Sequence, residues 1–258
     1  MTGYPPYLQT AAPQVQPEPA PAGRFIVPRM RCTLVVGLLA IQGLLELVSL
    51  YVAFSIVGVV DAAQSGQPVP QDQANALDAA SSNVALGQAV LYLITVILFS
   101  CWFYRVVANA KVLNPSEGPS PGWAVGSFFV PFICLVKPVQ AAAYAWRTSA
   151  RVAYPEPAVP PGLGLIGMWW LVWLISNFLG QVMFRMALGH GSEPTLDQVR
   201  TTQYAEIFSA IVGAGLAVLC ALVVHRLTGM QQMVWDRHTR GQFHAQNPQN
   251  AAAVARVA

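Results

Sequence analysis

The sequence predicts an all-α integral membrane protein with four transmembrane helices and a cytoplasmic-side re-entrant or interfacial helical hairpin between the second and third. Three observations carry this prediction. Of 258 residues, 55% are hydrophobic and only 10% are charged, whereas an ordinary soluble domain carries about 25% charged residues. The mean hydropathy is +0.47. Such a chain lacks the ions to coat a water-facing surface, which excludes a soluble globular enzyme and a disordered acidic protein. Next, four apolar stretches, near residues 32–60, 84–108, 163–187 and 204–227, each exceed the ~20 helical residues that cross a hydrocarbon core. Finally, Lys and Arg are distributed on one side, as the orientation rule for membrane proteins requires.

Residues 1–28 hold Pro5, Pro6, Pro13, Pro17, Pro19 and Pro21 among Gln, Ala and Glu. Without apolar periodicity this segment buries no core, and it reads as a disordered cytoplasmic tail. The membrane domain is expected over residues 29–240, followed by a disordered tail over 241–258. With the N-terminus inside, twelve basic residues fall on the inner side and two, Arg185 and Arg200, on the outer side. The first outer loop, residues 61–83, carries Asp61, Asp72 and Asp78 and no basic residue. Both termini are therefore expected in the cytoplasm.

Residues 123–136 (WAVGSFFVPFICLV) are the ambiguous stretch. Fourteen helical residues reach ~21 Å, short of the core, and Pro131 interrupts them. Counting this stretch as a span would also move the basic C-terminal end outside. It is read instead as part of a hairpin over about 122–152, with Pro138 opening a second helix. On that second helix Arg147 and Arg151 lie one turn apart, suited to anionic lipid of the inner leaflet.

Inside the spans an ionisable group is the informative one. Glu46 lies near the middle of the first, where an acidic residue costs about 2.5–3.5 kcal/mol, and Gln42 precedes it by one turn. In the third span Asn177, Gln181 and Arg185 form a stripe at four-residue spacing. Both helices run in the same direction, so Gln42 and Glu46 are expected to meet this stripe near the midplane. The amides there serve either as interhelical glue or as an ion, proton or small-ligand site.

In the fourth span Gly213, Ala217 and Ala221 repeat at four-residue intervals, a face that permits close helix packing within the chain or between copies. His225 and Arg226 close that helix, where cations suit its C-terminus. Trp169, Trp170 and Trp173 open the third span as an interfacial aromatic belt. The four cysteines (Cys32, Cys101, Cys134, Cys220) show no metal-ligand spacing. No cofactor, metal or nucleic-acid partner is expected, and no HExxH, GxSxG or P-loop is present. The chain is therefore not expected to be an enzyme.

One set of motifs extends this reading. Trp102, Arg105 and Asn109 end the second span. Gly122 and Trp123, Pro131, Lys137 and Pro138, then Trp146 and Arg147 follow in that order. Their order between two pairs of apolar helices resembles the bacterial family called domain of unknown function 4328. In that family an Asn usually stands where this chain has Cys134, and an acidic residue lies near Tyr144. The resemblance implies a multi-pass protein of the inner membrane and assigns no activity. The expected function is a non-enzymatic scaffold or interaction module. Its company would be lipid together with a second copy or another membrane protein. The alternative is an ion, proton or small-ligand binding or permeation protein using the locus around Glu46.

Overall fold

In the computed structural model, residues 25–154, 161–189 and 194–246 are described, and all regular elements among them are helical. Four helices are long and apolar enough to cross a membrane. They are α1 (Arg29–Gln64), α2 (Gln71–Leu113), α5 (Gly164–Gly189) and α6 (Leu196–Gln246). Between α2 and α5 lie a short helix, α3 (Pro121–Gly126), two 3-10 turns (Ser127–Phe129 and Ile133–Leu135) and α4 (Lys137–Ala153). The two arms of this hairpin are bent by 111°.

Three of the four long helices overshoot the apolar runs that identify them. The 43 residues of α2 and 51 of α6 correspond to about 65 and 76 Å of helix, twice a bilayer core. Residues 71–83, expected as loop, form the first turns of α2. Their Ala, Gln and Leu favour helix, Pro70 precedes the first turn and Asp72 lies within it. Beyond His225 and Arg226, α6 continues to Gln246 rather than ending there. Residues 25–28, assigned to the tail, are packed, with Phe25 stacked on Trp235 at 6.3 Å. The rest of both expected tails, residues 1–24 and 247–258, lies outside the described residues.

Helices α1 and α6 run antiparallel along their whole shared length. At one end Arg29 meets Gln232 and Asp236, then Cys32 faces Val224. Midway, Gly43 faces Ala217 and Glu46 faces Gly213. At the other end Arg200 lies 3.5 Å from Asp61 and Gln64 donates to Asp197 at 2.8 Å. These exposed contacts at the helix ends add little to stability, because water screens them. The small residues explain the close approach, because backbones without bulky side chains come within dispersion range. The face formed by Gly213, Ala217 and Ala221 is thus used inside the chain. Helix α6 lies between α1 and α5, and α2 flanks α1.

Burial is uneven along the bundle. The middle windows of the four long helices are at most 28% buried, with Leu44, Leu47, Tyr51, Leu86, Leu93 and Ile97 exposed. Such a surface suits hydrocarbon and not water. The close-packed core sits instead at the hairpin end, where Val35, Trp102, Val106, Ala141, Trp146, Ile166, Trp169 and Leu227 are each at most 2% exposed. Alanines of α4 let it lie tightly on α2 and α6. Gly118 is required by its surroundings, since its φ is +78° and an added Cβ would lie 2.5 Å from the Tyr144 ring. That ring places the Tyr144 hydroxyl 2.7 and 3.1 Å from the carbonyls of Asn114 and Ala110, at the end of α2 where the helix has no further amides to offer; the Ala110 carbonyl also accepts from the Asn114 amide.

Candidate functional site

Within the candidate spans, Gln42, Glu46, Ser49 and Glu206 gather on the α1–α6 seam. Gln42 donates to Glu46 Oε1 at 3.0 Å along one helical turn. The Glu46 carboxylate fills the notch of Gly213, whose ideal Cβ would lie 2.9 Å from its carboxyl carbon. Three residues on, Ser49 is buried and donates to Glu206 of α6 at 3.0 Å. Glu206 and Gln88 of α2 lie within electrostatic reach of Glu46. The Gln42 Oε1 atom is buried without a hydrogen-bond partner among the described residues.

The expected meeting of Glu46 with the third span does not occur. Asn177 donates to the Trp173 carbonyl one turn back on its own helix, at 2.7 Å. Gln181 and Arg185 are exposed, and α6 separates α5 from α1. Equal depth and parallel direction made the encounter sterically allowed, but small residues brought α6 against α1 and left the α5 stripe outward. Sequence reading missed Glu206 and Ser49. The available signal was the position of Glu206 seven residues before Gly213, two turns away on the same face.

A second polar cluster holds the hairpin end together. Asn109, 0% exposed, accepts from the Ile26 amide at 3.1 Å and donates to the Ile26 carbonyl at 2.8 Å. It also donates to Gln231 Oε1 at 2.7 Å. Gln231, equally buried, donates to the Val106 carbonyl at 2.9 Å and to Ser149 Oγ at 3.2 Å. One pair of amides thereby ties the lead-in to α1, and α2, α4 and α6. Every polar atom of that pair has a partner, as buried amides require. Trp102 adds a further link, its indole donating to Thr228 at 2.9 Å. Replacing Trp102 by Phe is expected to lower stability by more than about 1 kcal/mol, since the bond and part of a fully buried ring are lost together, measured by thermal denaturation in detergent. A change within error would show that neither the bond nor the ring volume holds this position. Gln231, Thr228 and Ser149 gave no sequence signal, since their amide and hydroxyl groups lie outside any apolar run.

The other motif residues fall around this cluster. Ser120 caps α3 by accepting from the Trp123 amide at 3.3 Å, with Pro121 and Gly122 in the first turn. Trp123 itself is 45% exposed. Pro138 is buried in the first turn of α4, and the Trp146 indole donates to the Pro161 carbonyl at 3.0 Å. The kink after Pro131 uses its own 3-10 turns, with the Trp170 indole donating to the Leu135 carbonyl at 3.1 Å. Asn109 takes no part in that kink, its side chain being engaged by Ile26 and Gln231. Phe132 there takes a φ of +62° and is 86% exposed, a left-handed conformation that costs about 1–3 kcal/mol. Trp169 and Trp170 are buried rather than a lipid-facing belt, and Trp170 stacks on Trp173 at 4.5 Å. Phe128 of the hairpin fits edge-on against both Trp170 and Trp173, which explains their burial.

Two surfaces remain available for ligands at this end. One is a groove beside α4, where Gln140, Tyr144, Arg147, Thr148 and Arg151 face Glu117 across about 230 Å³. Lys137 and Trp123 extend it. Burial, with Glu117 adding, pushes the Tyr144 phenol above its usual range, so it stays protonated as a donor. The other is a cleft of about 450 Å³ between α6 and the C-terminal half of α4.

The class defined by this architecture is the all-helical protein with four helices long and apolar enough to cross a membrane. Residues 65–229 match the model of a family described as Domain of unknown function (DUF4328), and the chain belongs to that family. The match takes in the second and third long helices, the whole hairpin and α6 as far as Gly229. Searches of curated proteins and of solved structures found no match.

Proposed function

We propose that this chain is a non-enzymatic, multi-pass protein of the bacterial inner membrane. Both termini and the hairpin end lie in the cytoplasm, and the protein works as a scaffold or interaction module. The observation that carries this reading is the division of labour at the hairpin end. Its buried polar groups, Asn109 and Gln231 foremost, are consumed by structure, while cations and large apolar side chains stand exposed beside them. Lys137, Arg147 and Arg151 stand outward on α4, and Phe129, Phe132, Leu135 and Val136 are exposed at the apex of the hairpin. An apolar apex beside cations suits the headgroup boundary of an anionic leaflet. Orientation follows from charge, since the hairpin end holds Arg29, Arg31, Arg105, Lys111, Lys137 and Arg226, and the opposite helix ends hold Asp61, Asp72 and Asp78. A second copy or another membrane protein is the expected partner. Reporter fusions should report both termini inside, and crosslinking in native membranes should yield a discrete complex. Termini on opposite faces, or an unpartnered monomer throughout, would overturn the proposal.

A second reading has its own support in the buried, unpartnered Gln42 Oε1 beside Glu46. Together with Glu206 and Ser49 these oxygens suit a proton or a small hard cation. On this reading Glu46→Gln abolishes a cation or proton flux measured in liposomes. An unchanged flux in that variant, or none in the parent, removes it.

A further inference from the structure

We propose that the cleft between α6 and the C-terminal half of α4 is a binding site for one anionic phospholipid. Arg226 and His225 would hold the headgroup phosphate, and the acyl chains would leave along α6. The position of the cleft points to lipid. Residues 207–224 of α6 contain no carboxylate, Lys, Arg or His, and 18 helical residues extend about 27 Å, close to a hydrocarbon core. Arg226 is the first cation after that run and His225 stands beside it, so both lie at headgroup depth. Cys32, just after the arginines that begin α1, lies at the same level, its thiol 3.9 Å from the Val224 carbonyl.

The chemistry points the same way. Among the described residues neither His225 nor Arg226 has an ion pair, while nearby Asp236 is engaged by Arg29 and Gln232. The walls are Trp146, Tyr154, Met230 and Met233, an amphipathic and adaptable set suited to glycerol and the first methylenes. Gly229 lies in the wall inside α6, and a Cβ there would meet nothing within 4 Å. No packing demands that glycine, and any larger side chain would project into the cleft. The groove beside α4 is the weaker candidate for a phosphate, because Glu117 already faces its arginines.

The inference rests on the proposed cytoplasmic orientation only for which leaflet supplies the lipid. Its test is independent of orientation. The full chain is exchanged from detergent against phosphatidylglycerol or phosphatidylcholine, and retained lipid is counted by native mass spectrometry. The parent should retain one phosphatidylglycerol in preference to phosphatidylcholine. Arg226→Gln should weaken retention about fivefold, the worth of one cation near anionic lipid. Gly229→Leu removes no charge and suits a helix, so it should stay folded by circular dichroism yet lose the lipid. Arg147→Gln with Arg151→Gln should change retention less than about twofold. Full retention by folded Gly229→Leu, or equal retention of the two lipids, would overturn the site. Displacement by millimolar inorganic phosphate would assign it to a soluble ligand and overturn the lipid. Termini found on opposite faces would refute the proposed orientation and leave this result standing.

Discussion

Asn109→Ala is expected to destabilise the protein by about 2–4 kcal/mol, since three polar groups lose a partner, at about 1–3 kcal/mol for a fully buried one and less for one partly buried. They are the buried Gln231 Oε1 and the half-buried Ile26 amide and carbonyl, which Asn109 now serves at 2.7, 3.1 and 2.8 Å. The loss should appear as a lower midpoint in thermal or denaturant unfolding of the detergent-solubilised chain. Gln231→Ala should act on the same network, freeing the Asn109 amide and Ser149. Because the residues touch, the double variant should be less harmful than the sum of the singles by at least about 0.5 kcal/mol. Single effects below that size, or strict additivity, would mean that the two amides do not form the joint that ties α1, α2, α4 and α6.

The second large effect concerns the seam. Gly213→Ala should cost about 1–3 kcal/mol, the usual penalty of overpacking a tight contact. The new Cβ would come within 2.9–3.2 Å of three atoms of the Glu46 carboxyl group. Removing that group should remove the clash. Gly213→Ala made in a Glu46→Ala background is therefore expected to change stability by less than about 0.5 kcal/mol, as a freed surface position would. Asn177→Ala, exposed on α5, should be equally mild in either background. A coupling between Glu46 and Asn177 larger than that between Glu46 and Gly213 would refute the seam as drawn.

Much of the architecture was legible before any coordinate. The four apolar stretches lie within 1–2 residues of four helices or inside them, and the break at Pro131 lies between the arms of the hairpin. Helix ends were less legible. Hydropathy marks where a chain tolerates oil, whereas helices end where caps or breakers end them. The polar turns of α2 before residue 84 and of α6 after residue 227 therefore escaped notice. Asn109 was singled out by its motif, yet its partners were not. An amide can be satisfied by many groups, and Gln231 lies 122 residues away.

By itself the sequence determined how many helices can enter a bilayer, where the hairpin interrupts them and how basic residues divide between the ends. These follow from per-residue transfer costs and backbone restrictions, which are local and nearly additive. Only the tertiary structure decided which helix Glu46 meets, that the tryptophans of α5 are buried, and that the tightest packing lies at the hairpin end. Those outcomes depend on which helix faces fit at close range. Several faces carried small or polar residues at compatible spacing, and steric fit in three dimensions chose among them.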